Sequence, residues 1–201
     1  MDSEKHRTLA EVARALNAAH PALARLPPLF FFTDEHRTPE PLHMIAGLPE
    51  RCGVVFRHYG IAGRAALARA VLASCQAQDR VMLVAGDADL ALEIGADGIH
   101  LPAHMLRILT ELPNARLVTA AVHNAEEIRH AETLGVDAVF LSPVFPTASH
   151  PDGAALGIHE FVEMVAATRL PVYALGGVSE ATAPQLAGSG AVGIAAIEGL
   201  A

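Results

Sequence analysis

The segment FLSPVFPTASHPDG, residues 140–153, changes abruptly from apolar side chains to groups that can bind an anion or carry a proton. Phe140 and Leu141 are typical of a buried strand, but hydroxyl groups and an imidazole follow them closely. These polar groups belong to Ser142, Thr147, Ser149 and His150. Such side chains directly after a buried strand favour a ligand-binding loop, with an ordinary turn as the alternative.

His123 is the strongest candidate for acid–base chemistry. It follows the apolar run VTAAV, and the ordinary pKa of imidazole lies near neutrality. The alternative is a histidine at a helix start with no chemical role. His58 and His150 also follow strands, whereas His100 lies inside the short run GIHLP, where we expect it to be buried. The histidines form no HxH or HExxH pattern, so we predict no metal site.

The segment ALGGVSEA, residues 174–181, is a candidate phosphate site. Gly176 and Gly177 follow an apolar run, and we interpret the next residues as a helix capped by Ser179. Free backbone N–H groups at such a helix start can hold an anion. A plain tight turn is the alternative.

The segment GIAAIEGL, residues 193–200, is the predicted second half of that phosphate site. We expect it to contribute Gly193, Ala196 and Ile197. Glu198 lies in the same segment, and its carboxylate would repel a phosphate unless it points away.

The composition indicates a folded protein whose ligands are small molecules. Of the 201 residues, 52% are hydrophobic and 18% are charged, and we expect one domain, 1–201. The net charge of −8 argues against nucleic acid as a partner. The two cysteines, Cys52 and Cys75, make no disulfide framework. No apolar run reaches membrane-spanning length and the N-terminus lacks the apolar segment of a signal peptide, so we expect a cytoplasmic protein.

Short apolar runs alternate with stretches that have helical spacing. The predicted strands are 28–34, 53–59, 80–86, 97–102, 116–123, 137–144, 171–177 and 192–198. The predicted helices include 62–78, 87–95, 124–135 and 179–190. Most of the strands lack polar alternation, as expected for a parallel sheet that is covered on both faces. Asn124 and Ser179 are predicted N-caps, and Gly95 and Gly135 are predicted C-cap glycines.

Eight strands that alternate with helices predict a compact α/β fold, the (β/α)₈ TIM barrel, with a doubly wound sheet as the alternative. The sequence leaves little room for an eighth helix after the last strand. The segment 7–20 has a helical apolar stripe and could cover that gap. In such barrels the site lies at the carboxyl ends of the strands, where the candidate residues above are found. Asp97 and Asp137, which enter strands, are therefore assigned a structural role at the other end.

Five segments, in this order and spacing, resemble one known family. They read DADLALEIGADGIHL, AVHNAEEIRHAETLGVDAVFLSPVFPT, PDGAALGIHEF, PVYALGGVSEA and GSGAVGIAAI. The family is that of thiamine phosphate synthase and thiazole tautomerase. The resemblance implies a (β/α)₈ barrel and a small-molecule partner, a thiazole phosphate or thiamine phosphate. Arg57 and Gly157 lie in segments similar to the family's and are predicted to contact that ligand.

The chain departs from the synthase pattern where the synthase holds Mg²⁺. The resemblance implies that two aspartates of the synthase correspond to Gly86 and Met105, which cannot ligate this cation. It also implies that a pyrophosphate-binding lysine corresponds to His150. We therefore predict no cofactor, with Mg²⁺ required only if the chain is a synthase.

These departures favour the tautomerase branch, an isomerase that resembles the synthase but shifts a proton on a thiazole carboxylate phosphate. Its pattern includes a glycine at Gly86, the pair Leu101–Pro102 and a histidine at His123. One alternative is a divergent synthase, which is a transferase. Others are a non-catalytic barrel that binds the same phosphates or a partner protein, and an unrelated phosphate-handling reaction. We also consider a homodimer.

Overall fold

Eight parallel strands close into a ring in the order of the sequence. The computed structural model describes residues 2–20, 26–147 and 155–200, without the side chains of residues 2–6 and 198. The strands are β1 Leu29–Phe32, β2 Cys52–Phe56, β3 Met82–Ala85, β4 Gly98–Leu101, β5 Val118–Val122, β6 Ala138–Leu141, β7 Val172–Ala174 and β8 Gly193–Ala196. Pairing of Leu29 in β1 with Ile194 in β8 closes the ring. The predicted barrel is thus confirmed, and the doubly wound alternative is excluded.

Helices surround this ring. They are α1 Asp2–Ala18, α2 Pro41–Gly47, α3 Arg64–Gln76, α4 Ala88–Ile94, α5 Ala103–Leu106, α6 Ala125–Leu134 and α7 Gly157–Ala166. Two 3-10 turns, Ala183–Leu186 and Glu198–Leu200, follow β7 and β8. In the described part of the chain, no helix is both long and apolar enough to cross a membrane.

The predicted helix over 179–190 is wrong, because the structure has only the 3-10 turn Ala183–Leu186 in this segment. Ser179 does not cap it as predicted. Instead, the Ser179 amide donates to the Thr182 hydroxyl at 2.9 Å, and that hydroxyl donates to the Gly177 carbonyl at 2.8 Å. Pro184 supplies no amide hydrogen for a longer helix, so a short turn is what this sequence supports.

The other predicted caps are present. The Asn124 side chain accepts a hydrogen bond of 2.9 Å from the Glu127 amide and so begins α6. Gly95 and Gly135 end α4 and α6 in the left-handed region, with φ of +73° and +81°. Glycine adopts this conformation without the penalty that a Cβ atom brings.

Aromatic side chains fill the interior of the barrel. Phe30 contacts the rings of Phe140 and Tyr173 edge-on, each at 5.3 Å between centroids, and Phe32 contacts Phe140 in the same way at 5.0 Å. The buried Tyr173 hydroxyl donates to the Pro27 carbonyl at 2.7 Å, so its polar atom is satisfied. The barrel therefore has a packed core.

Asp97 and Asp137 have matching structural roles at the amino ends of the strands. The Asp97 carboxylate accepts a hydrogen bond of 2.8 Å from the Met82 amide, and the Asp137 carboxylate accepts one of 2.7 Å from the Val118 amide. Each carboxylate thus satisfies the first amide of the preceding strand. This arrangement confirms the structural assignment of both residues.

The N-terminal helix α1 covers the part of the barrel where no eighth α-helix follows β8 in the described chain. It packs on β1, β8 and both 3-10 turns. Leu9 and Leu16 are buried in the core, and the Asn17 side chain donates to the Val192 carbonyl at 3.2 Å. The apolar stripe predicted over 7–20 therefore serves as the missing outer layer.

Loss of this layer should destabilise the barrel. Leu9→Ala should lower the free energy of unfolding by about 2–5 kcal/mol, because Leu9 is fully buried and its truncation leaves a cavity. Chemical denaturation measures this difference, and the exposed neighbour Glu11→Ala is the control. Deletion of residues 1–20 should lower the melting temperature further, and an unchanged melting temperature would contradict the packing role of α1.

Candidate functional site

His100 lies in the barrel interior, below the carboxyl ends of the strands. Its ring contacts Phe32 and Phe140 edge-on, each at 5.2 Å, and its Nδ1 lies 3.0 Å from the Thr119 hydroxyl. Burial lowers the pKa of His100 to about 3, and the nearby Arg57 guanidinium adds to the effect. His100 is therefore a neutral core residue, as its place in the sequence predicts.

Arg57 follows β2 and lies over the Phe32 ring, 5.5 Å from its centroid. Its Nε donates to the Thr33 carbonyl at 3.0 Å, and one terminal nitrogen donates to the Asp34 carboxylate at 3.0 Å. Arg37 donates to the same carboxylate at 2.7 Å. Partial burial raises the pKa of Asp34, but the hydrogen bonds from Arg37 and nearby amides outweigh it and hold that pKa below its usual range. The Arg57 guanidinium is thus fixed at the mouth of the barrel.

His58 is not placed for chemistry at the mouth. Its ring is buried and stacks on Phe56 at 5.4 Å, and its Nδ1 lies 3.0 Å from the Thr33 hydroxyl. Phe56 belongs to the outer core, so His58 lies between the barrel and its helices. Burial lowers the pKa of His58, although the carboxylates of Glu35 and Asp34 oppose this shift.

His123 follows β5 and is exposed. By strand alternation it continues the row of Thr119 and Ala121, which faces the interior. Its Nδ1 lies 2.8 Å from the Ser142 carbonyl oxygen. Because a carbonyl oxygen can only accept, Nδ1 carries the hydrogen and Nε2 keeps a free lone pair. The ring is thus held in one tautomer.

Glu127 fixes the backbone of His123. Its carboxylate accepts a hydrogen bond of 2.7 Å from the His123 amide and one of 2.8 Å from the Arg107 Nε, and it forms an ion pair with a terminal nitrogen of Arg107 at 2.8 Å. Glu127 is only 6% exposed, so both oxygens are satisfied within the protein. Arg107 follows α5, so this pair links β5 to the preceding helix.

The glycine pair after β7 packs closely on the loop after β6. Both glycines are left-handed, with φ of +88° at Gly176 and +66° at Gly177. A Cβ atom would lie 2.7 Å from the Pro143 Cα at Gly176 and 2.5 Å from the Pro146 carbonyl oxygen at Gly177. This close approach alone accounts for both glycines. In the described part of the chain, the amides of Gly177 and Val178 donate no hydrogen bond.

Two of the predicted ligand contacts, Gly193 and Gly157, make close contacts within the protein. Gly193 begins β8 at the end away from the mouth, where a Cβ atom would lie 2.2 Å from the Pro28 carbonyl oxygen. The lack of a side chain at Gly193 serves packing at this end, and its contact with a phosphate stays a prediction. The Gly157 amide donates to the Val144 carbonyl at 2.9 Å and is therefore engaged within the chain.

The structure describes only some of the remaining predicted ligand contacts. The Ala196 side chain belongs to the outer core, whereas Ile197 packs against the interior cluster. Thr147 is half-buried at the end of the described loop. The predicted contacts Ser149 and His150, and the side chain of Glu198, lie outside the described residues.

Comparison with known proteins identifies the family of the chain. The sequence model of the family described as thiamine monophosphate synthase matches residues 54–200. The chain belongs to the thiamine monophosphate synthase family. The thiamine-phosphate synthase of Anoxybacillus flavithermus is 33% identical over 138 residues, which are 67% of this chain and 64% of that protein. That of Methanoregula boonei is 39% identical over 113 residues, 54% of this chain and 52% of that protein.

A solved structure agrees with this relationship. Thiamine phosphate pyrophosphorylase from Pyrococcus furiosus is 26% identical and superimposes with a TM-score of 0.69, over 84% of each chain. The sequence matches described above span less than two thirds of each relative's own length. Membership of the family confirms the resemblance predicted from the sequence and indicates an enzyme.

The positions that the sequence resemblance assigns to the synthase's metal ligands do not fit Mg²⁺ in this chain. We call Tyr59, Gly86, Asp87, Pro102 and Met105 the β3–β4 corner. A Cβ atom at Gly86 would lie 3.3 Å from the Tyr59 ring, 3.5 Å from the Met105 sulfur and 3.5 Å from the Pro102 ring. Mg²⁺ prefers oxygen ligands, whereas apolar groups occupy this space. In the described chain, no group of three or more His, Cys, Asp or Glu residues is placed to hold a metal ion.

The sequence did not single out Arg64, which the structure places in contact with the β3–β4 corner. Its guanidinium donates to the Asp87 carboxylate at 2.6 Å. The only sequence signal is an arginine at the first turn of an Ala- and Leu-rich helix. Similarly, the N-cap Asn124 marked the helix start but gave no indication that Glu127 holds the His123 amide.

Burial of His100 predicts a pH-dependent stability. Below its unfolded-state pKa of about 6.5, the unfolded chain binds a proton that the native interior excludes down to pH 3. Stability should therefore fall as the pH drops through this window. His100→Gln keeps a partner for Thr119 but does not titrate.

Urea denaturation of wild type and His100→Gln at pH 7 and pH 5 tests this expectation. The stability of wild type relative to the variant should fall by about 2 kcal/mol between these two values. Groups that titrate in both proteins cancel in this difference. If the difference in stability between wild type and the variant did not change with pH, native His100 would have to take up the proton.

Proposed function

We propose that the chain is an enzyme of thiamine phosphate biosynthesis that binds a thiazole phosphate at the mouth of the barrel. The observation that carries this proposal is the position of His123, which has a fixed tautomer and an unshared Nε2 lone pair after β5. Small soluble substrates suit a site at the carboxyl ends of barrel strands. The names of the relatives, thiamine-phosphate synthase and thiamine phosphate pyrophosphorylase, support chemistry on thiamine phosphate and its parts.

His123 would transfer a proton as a general base or acid. The Ser142 carbonyl accepts from Nδ1–H, so Nε2 can take a proton from a bound ligand without a change of tautomer. The resulting imidazolium keeps the same hydrogen bond to Ser142. Glu127 and Arg107 hold the backbone of His123 in place during this transfer.

The phosphate of the ligand would bind near the glycine pair after β7. The amides of Gly177 and Val178 have no partner within the described chain, and an anion can accept hydrogen bonds from both. The 3-10 turn that follows is short, so these amides would act individually and not through a helix dipole. Arg57 supplies a fixed positive charge on the other side of the mouth.

A proton shift on a thiazole carboxylate phosphate is the reaction that these residues support best. It requires a proton carrier and a phosphate site but no metal. The apolar groups around Gly86 in the β3–β4 corner are consistent with such a reaction. The chain would then be a tautomerase-like isomerase within the synthase family.

Thiamine phosphate synthesis is the second candidate, and the comparisons favour it. The relatives from Anoxybacillus and Methanoregula are named thiamine-phosphate synthases, and none of the relatives described above is named a tautomerase. Release of pyrophosphate in that reaction calls for positive charge at the leaving group. Arg57 could supply part of it, but in the described chain no group of three or more His, Cys, Asp or Glu residues is placed to hold a metal ion.

Substitution of His123 tests its proposed role. His123→Asn should lower turnover of a thiazole carboxylate phosphate by about 10²–10⁴-fold, because general acid–base catalysis contributes a factor of this size. The rate of aromatic product formation measures the effect. His159→Asn, which alters an exposed histidine in α7, is the matched control and should retain the wild-type rate. Full activity of His123→Asn would make His123 structural, and an inactive wild type would favour a binding protein.

A second experiment distinguishes the two reactions. Purified protein is mixed with the pyrimidine diphosphate and the thiazole phosphate, with Mg²⁺ or with EDTA, and thiamine phosphate is measured by chromatography. We expect no Mg²⁺-dependent product, because Gly86 and Met105 occupy the positions of the carboxylates. Robust Mg²⁺-dependent formation would instead establish the synthase reaction.

A further inference from the structure

The β3–β4 corner contains one carboxylate, that of Asp87, and the protein itself uses both of its oxygens. Oδ1 accepts a hydrogen bond of 2.9 Å from the Leu90 amide and caps α4. Oδ2 accepts one of 2.6 Å from Arg64. A divalent cation would have to displace a charged hydrogen bond to reach this carboxylate.

Arg64 is bound on several sides. Its Nε donates to the His58 carbonyl at 2.8 Å, and a terminal nitrogen donates to the Ala85 carbonyl at 2.8 Å. Its guanidinium lies 5.8 Å from the Phe56 ring centroid and 5.6 Å from that of Tyr59. The side chain is only 17% exposed, so these contacts fix the cation between β2 and β3.

The electrostatic balance follows from these contacts. Arginine keeps its charge at every physiological pH, so Arg64 neutralises Asp87 permanently. Burial raises the pKa of Tyr59, although the Arg57 and Arg64 guanidiniums oppose this, so its hydroxyl remains protonated at neutral pH. Both oxygens of Asp87 are thus already engaged, and Tyr59 adds no charged oxygen of the kind that a hard cation requires.

We propose that Arg64 takes the place of a divalent cation in the β3–β4 corner. Its guanidinium joins the carboxyl ends of β2 and β3, neutralises Asp87 and supports the Tyr59 ring, which is 50% exposed at the mouth. The corner presents this aromatic ring to a ligand in place of a metal. An anionic ligand therefore binds as a phosphate without bound metal.

Binding of Mn²⁺, a spectroscopic substitute for Mg²⁺, tests whether Arg64 takes the place of a divalent cation. Electron paramagnetic resonance measures free Mn²⁺ with the full chain, with and without inorganic pyrophosphate. Wild type and Asp87→Asn should bind equally, within about twofold, because Asp87 is not a ligand. Asparagine also caps helices, so α4 is preserved. Binding that is about 10–100-fold tighter in wild type than in Asp87→Asn would overturn the proposal, because that loss is typical when a metal site loses an essential group.

Tyrosine fluorescence tests whether Arg64 supports the Tyr59 ring. The chain has no tryptophan and two tyrosines, of which Tyr173 is fully buried, so acrylamide quenching reports mainly on Tyr59. Arg64→Gln should raise the quenching constant by roughly twofold, because the half-exposed ring loses the cation that supports it. Tyr59→Phe gives the background, and Arg69→Gln, an exposed arginine of the same helix, is the control.

An unchanged quenching constant in Arg64→Gln would refute the support of Tyr59. Circular dichroism confirms that each variant is folded. Neither measurement depends on turnover, so failure of this inference and failure of the proposed reaction can be distinguished.

Discussion

The pairing of β1 with β8 is the contact on which the rest of the structure depends. Until this ladder forms, eight parallel strands have two open edges and no enclosed interior. Once it forms, Phe30, Phe32, Phe140 and Tyr173 pack together inside the ring, with Phe30 and Phe32 edge-on and Phe140 stacked on Tyr173. Because these rings fill the interior, the strands hold a fixed stagger, and the chain segments that leave them begin from defined positions.

The positions of the side chains at the mouth depend on this ring of strands. Each group at the site is bonded to the end of a neighbouring strand: Arg57 to Thr33, Arg64 to Ala85, and the His123 ring to Ser142. These are contacts from side chains to the main chain or to adjacent loops, so side-chain positions follow strand register. A displaced strand would therefore alter the tautomer of His123 and would move the guanidiniums of Arg57 and Arg64.

Strand periodicity carried most of the predictive information in this sequence. Uninterrupted apolar runs identified all eight strands, although the observed strands are shorter, as in β5, which spans Val118–Val122 and not 116–123. Local chemistry also predicted the cap at Asn124 and the roles of Asp97 and Asp137. It failed at 179–190, where Pro184 limits the chain to one 3-10 turn. It could not place Arg64 or Glu127, because their charged partners, Asp87 and Arg107, lie about 20 residues away in the sequence.

The contact of α1 with β8 has a consequence for synthesis of the protein. Translation produces β8 about 175 residues after α1, as the separation of Asn17 from Val192 illustrates. Throughout that interval the buried face of α1, with Leu9 and Leu16, has no native partner. Long-range contacts of this kind form late, because closure of the intervening loop costs conformational entropy before any contact stabilises the closed state. The nascent chain therefore exposes the apolar face of this amphipathic helix throughout that interval, and native closure awaits the last strand.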